Sequence, residues 1–72
     1  MKLNNWYAVT KFYDNGATEG EVVKWADALT RYGVTGREVD LCSYETATCD
    51  VYVEGFETRQ EADDIVAALA EA

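Results

Sequence analysis

A chain of 72 residues with 49% apolar and 28% charged side chains has the composition of one globular domain, too short for a second and too apolar for disorder. Its net charge of −8 argues against binding bare nucleic acid or anionic membranes, since both depend on lysine and arginine to neutralise phosphate. There is no histidine, which removes the commonest general base and the commonest zinc ligand. No apolar run approaches the roughly 20 residues of a membrane span. The opening "MKLNNWYAVTKF" has neither the apolar segment nor the small-residue cleavage site of a signal peptide, so a cytoplasmic protein is expected.

In chain order, "NNWYAVTKFYDNG" predicts a strand of aromatic and β-branched residues, ended by Asp14-Asn15-Gly16. That turn would suit a tight hairpin, but the following residues read as a helix. Thr18 and Glu21 have capping-box spacing, and Val22, Trp25, Ala26, Leu29 and Tyr32 recur at helical intervals up to Gly33. Asp27 and Arg31 are spaced for an i,i+4 ion pair. Two further strands lie in "REVDLCSYETATCDVYVEGFE", joined around "YETAT". A second capping box, Thr58 with Glu61, then opens a helix whose apolar stripe is Ala62, Ile65, Val66 and Leu69.

This order, β-α-β-β-α, implies parallel first and second strands with a right-handed crossover. The third strand fits between them. The expected fold is therefore an α+β domain with a three-stranded sheet ordered 1-3-2 and both helices on one face, a truncated ferredoxin-like fold lacking its last strand. The opposite face of that sheet would be open to water.

Alternation divides the second and third strands into Val39, Leu41, Cys49, Val51 and Val53 for the core, and Glu38, Asp40, Tyr44, Asp50, Tyr52 and Glu54 for the open face. In the first strand Trp6, Ala8 and Phe12 are expected to face the helices. Tyr7, Val9, Lys11 and Tyr13 would join the open face, although both sides of that strand are apolar enough to allow the reverse. Placing Leu41 opposite Val51 and Ser43 opposite Cys49 sends Cys42 and Cys49 to different faces, which predicts two free thiols.

No catalytic or metal-binding pattern emerges. Two cysteines without histidine cannot complete a zinc site, and acidic surroundings disfavour a reactive thiolate. The glycines match neither a phosphate loop nor a dinucleotide fingerprint, and "DNGATEGE" misses the ligand spacing of an EF-hand. The chain is expected to be no enzyme and to need no cofactor. What remains is the face of acids and tyrosines. Carboxylates on alternate strand positions stand about 6.6–6.8 Å apart, near twice the 3.4 Å rise per nucleotide of a DNA strand, so a row of them could mimic a phosphate backbone. Acids on a wet face also serve simply to solvate an exposed sheet, but four tyrosines among them favour a protein interface.

"YAVTKFYDNG" (Tyr7 to Gly16) and "CDVYVEGFETRQEADDIV" (Cys49 to Val66) resemble small proteins carried by bacteriophages and other mobile elements. The resemblance covers less than half of the chain and transfers no residue roles. It implies an anti-defence inhibitor of the anti-CRISPR kind, a stoichiometric binder without an active site, in the cytoplasm of a bacterial host. The expected partner is a basic, nucleic-acid-binding protein surface, a Cas effector in the most concrete version, held by Glu38, Asp40, Asp50 and Glu54 with Tyr44 and Tyr52 as anchors. The alternative is a small homodimeric adapter that pairs through the exposed edge of the first strand.

Overall fold

The computed structural model describes residues 3–71, with backbone only for residues 70 and 71. The elements are β1 (Trp6–Tyr13), β2 (Thr18–Lys24), α1 (Trp25–Tyr32), β3 (Leu41–Glu45), β4 (Cys49–Phe56) and α2 (Arg59–Glu71). The strands form one sheet in the order β2-β1-β4-β3, and every adjacent pair is antiparallel. The expected three-stranded sheet with a parallel crossover is thus corrected to a four-stranded antiparallel one.

The difference originates at Thr18. The residues expected to begin a helix, "TEGEVVK", form β2 instead. Asp14-Asn15-Gly16 does close a hairpin. Gly16 takes φ +89°, a region costly for residues with a Cβ, and Asn15 Oδ1 accepts from the Ala17 amide at 2.9 Å. The Tyr13 amide donates to Ala17 O and the Gly16 amide to Tyr13 O. Once the chain has turned back, every residue from Thr18 to Lys24 stands opposite one of β1. The hairpin also buries Val23 in the core, which a local capping box cannot do. Gly20 and the β-branched pair Val22-Val23 resist that reversal least. Only the last eight residues of the expected helix remain helical, as α1, and Gly33 ends it in the left-handed region with its amide on Ala28 O.

With β1 hydrogen-bonded to β2 on one side and β4 on the other, it has no free edge, and the expected pairing of two copies through it is excluded. The sheet's edges are β2 and β3.

The two helices lie on opposite faces of the sheet, which corrects the expectation of one covered and one open face. On the inner face, Ala28 and Tyr32 of α1 and Val34 pack with Tyr7, Val9, Val23, Cys49, Val51 and Val53. Burying such apolar side chains supplies about 1.5–3 kcal/mol each. On the outer face, Val66 and Leu69 of α2 press on Gly20, and the Arg59 guanidinium lies 5.3 Å from the centre of the Trp6 ring. Ala8 and Ala62 are fully buried there. At the second capping-box sequence the Thr58 half of the expected pair forms, the Glu61 amide donating to Thr58 Oγ1, while Glu61 Oε1 accepts from the Thr58 hydroxyl at 2.8 Å in place of its backbone amide.

Arg31 turns toward the sheet, its guanidinium 3.0 Å from Glu21 Oε1, where the sequence spacing suggests Asp27. Tyr32 joins this cluster by donating its hydroxyl proton to Glu21 at 2.8 Å. Burial, and secondarily that bond, push its pKa up to about 12.

Candidate functional site

The register of the β3-β4 hairpin decides which side chains share the outer face. The Thr46 hydroxyl accepts from the Thr48 and Cys49 amides and donates to Cys49 O, while the Thr46 amide donates to Cys49 O at 2.8 Å. These bonds close a turn with only Ala47 and Thr48 between Thr46 and Cys49. Leu41 consequently stands opposite Glu54, Ser43 opposite Tyr52, Tyr44 opposite Val51 and Glu45 opposite Asp50. The expected pairing of Leu41 with Val51 is off by an odd number of residues, and an odd slip exchanges the two faces of a strand.

The six residues expected to form one face are therefore divided. Asp50, Tyr52 and Glu54 are together on the outer face, opposite Phe12, Thr10 and Ala8 of β1. Tyr44 leaves from the inner face with Val51, although it lines a depression of about 280 Å³ at the hairpin end with Ser43, Glu45, Asp50 and Tyr52. Asp40 and Glu38 precede β3. Asp40 Oδ1 accepts from the buried Asn4 amide at 3.1 Å. Both acids lie near Tyr7, where they reinforce the upward pKa shift that burial gives its hydroxyl and Arg37 partly offsets. A continuous row of alternate carboxylates, the basis for expecting a phosphate mimic, does not exist in this fold.

Reversal of β3 also moves Leu41 out of the core. It is 60% exposed on the outer face, with Phe12 at 42% and Tyr52 at 40%. The Phe12 and Tyr52 rings meet edge to face with centroids 5.7 Å apart. With Thr10, Asp50 and Glu54 they line a shallow depression of about 480 Å³ over β4 and β3, beside the part of the sheet that α2 covers. Leu41 and Phe12 are the members that alternation assigned to the buried side; Glu45, directly across from Asp50, was assigned to neither.

Charge on this shelf is of one sign. Glu45, Asp50 and Glu54 point to the outer face, and none of their carboxylates has a hydrogen bond or ion pair among the described residues. Glu45 and Asp50 stand directly opposite one another, an arrangement that costs stability in an isolated sheet. By contrast Glu19, Glu21, Glu61, Asp63 and Asp64 each have a partner. The cations of β1 and β2 go elsewhere: Lys11 lies over the Tyr32 ring on the inner face, and Lys24 lies over Trp6 at the covered end.

Cys42 and Cys49 are free, for a reason other than the expected one. Both belong to the inner face, but Cys42 stands opposite Val53, four residues along β4 from Cys49. Four residues of strand span about 13 Å, beyond the reach of a disulfide. Among the described residues no group of three or more acids and cysteines is placed to hold a metal ion, and no helix is long and apolar enough to cross a membrane. An exposed apolar shelf with uncompensated carboxylates is suited to binding. No protein-family model matches the chain, and neither a curated protein nor a solved structure matches it.

Proposed function

We propose that this domain is a non-enzymatic binding module that takes a basic protein surface on the outer face of β4 and β3. The observation that carries this reading is the combination at one place of exposed Leu41, Phe12 and Tyr52 with three unpaired carboxylates, Glu45, Asp50 and Glu54. Exposed apolar side chains clustered on a small domain are what an interface leaves behind when its partner is absent. The acids set the sign of that partner, since lysine or arginine beside them would relieve the repulsion between Glu45 and Asp50. Tyr52 is the anchor, a half-exposed aromatic side chain held edge to face against Phe12.

A nucleic-acid-binding protein of a bacterial cell, a Cas effector among them, offers such a basic surface. Support for that choice comes from the acidity of the chain and the resemblance to phage proteins. The geometry supports the wider class of basic protein partners, with occlusion by binding as the mechanism.

The test is retention of basic proteins from a bacterial lysate by the immobilised domain, compared with the double variant D50K/E54K, at rising salt and with DNA as competitor. A partner retained by the native domain, lost by the variant and released by salt or DNA supports the reading. Equal retention by both proteins refutes it. Asp50 is exposed and Glu54 half-buried, so the loss of binding is read only with a variant whose circular dichroism spectrum matches the native one.

A further inference from the structure

The bare half of the outer face has the dimensions of one helix. Helix α2 lies over β2 and β1, pressing Val66 and Leu69 onto Gly20, and reaches β4; the outer side of β3, Asp50 and Tyr52 of β4 and Phe12 of β1 remain exposed beside it. Two strands spaced about 4.8 Å apart present a strip about 10 Å wide, which is the breadth of an α-helix with its side chains. The five residues of β3 run about 17 Å, the length of a helix of about 11 or 12 residues. Leu41 of β3, Tyr52 of β4 and Phe12 of β1 form an exposed apolar diagonal across this part of the face, with Glu54 on one side of it and Asp50 and Glu45 on the other.

We infer that the occupant is a single amphipathic helix of a partner protein, with lysine or arginine flanking its apolar stripe, lying beside α2 so that two helices cover the outer face. This rests on the reading of the domain as a binder of basic protein surfaces, and it specifies the form that the partner takes. Charge selects it over a second copy of this chain, which would bring the same unpaired acids and a further net charge of −8 to the contact. Shape selects it over an added strand, because pairing along the edge of β3 would leave Leu41, Phe12 and Tyr52 as exposed as before. Apolar anchors at i, i+3, i+4 and i+7 would meet these three side chains, and the flanking cations would reach the carboxylates.

The experiment is a titration of the ¹⁵N-labelled domain with two synthetic peptides of the same leucine and lysine content, each about 14 residues long. In one, leucine follows helical spacing; in the other, leucine and lysine alternate as in a strand. The expected result is that the helical peptide binds, gains helicity by circular dichroism, and shifts the amide signals of Thr10, Phe12, Leu41 and Tyr52. The variant L41D, whose side chain is largely in solvent, should stay folded and weaken that binding by about tenfold or more, the effect of losing one good apolar contact. Tighter binding of the alternating peptide, with shifts along the β3 edge, would overturn the helix and leave the basic-partner reading standing. Binding of neither peptide would overturn both.

Discussion

Replacing Gly55 with alanine tests how the N-terminal segment is locked to the sheet. A Cβ at this position would come within 2.5 Å of Asn4 Nδ2, 2.7 Å of its Cγ and 3.0 Å of its Cβ. Asn4 is fully buried and donates through Nδ2 to Val39 O and to Asp40 Oδ1, each at 3.1 Å, so its side chain cannot move aside without giving up both bonds. Two hydrogen bonds at about 1 kcal/mol each, plus the cost of stranding a buried amide, come to about 3 kcal/mol. Alanine regains about 0.5–1 kcal/mol because glycine loses more backbone entropy in a strand. The expected net loss is about 2 kcal/mol, a drop in Tm of about 8–16 °C for a domain of this size. Urea denaturation followed by circular dichroism measures it, and a double-mutant cycle with Asn4→Ala isolates the cause. Without Asn4 Nδ2 and Cγ only the 3.0 Å contact remains, so Gly55→Ala should cost at least 1 kcal/mol less in that background. A Gly55→Ala loss that is the same in both backgrounds, or no loss at all, would refute the lock.

The two capping-box sequences should respond differently to the same change. Thr58→Ala, at the start of α2, is expected to cost about 1 kcal/mol in urea denaturation, whereas Thr18→Ala, in a strand, should stay within about 0.5 kcal/mol. Tyr32, with its pKa raised to about 12, favours the fold in its protonated form. Its contribution is therefore complete below pH 10 and is lost as pH rises from 10 through about 12; ultraviolet titration should show a late-ionising phenol that Glu21→Gln makes ionise earlier. Trp6 is flanked by the cations of Lys24 and Arg59, so Arg59→Ala should cost about 0.5–1 kcal/mol and alter tryptophan emission.

Much that depends on near neighbours was legible in the chain. The Asp14-Asn15-Gly16 turn, the glycine stop at Gly33 and the capping box at Thr58 all use atoms within a few residues, and their chemistry reads directly from sequence. The first capping-box spacing misled because the same local pattern competed with a long ladder. Thr18 and Glu21 could bond one another in a helix, but beside β1 the whole segment pairs and Val23 is buried.

The candidate site divides in the same way. Asp50, Tyr52 and Glu54 share a face because they alternate on one strand, so their association needed no structure. Their separation from Glu38, Asp40 and Tyr44 was set by the Thr46 turn, whose hydroxyl bonds fix a two-residue loop and thereby the register of β3. Leu41, the most exposed large apolar residue described, reads as core by its type and becomes surface by that register. Sequence by itself determined composition, charge, turn chemistry and the alternation within each strand, since these follow from covalent neighbours. Tertiary structure decided which strands pair, which faces the helices cover and which acids stand together, because burial and ladder bonds between distant segments outweigh any local preference.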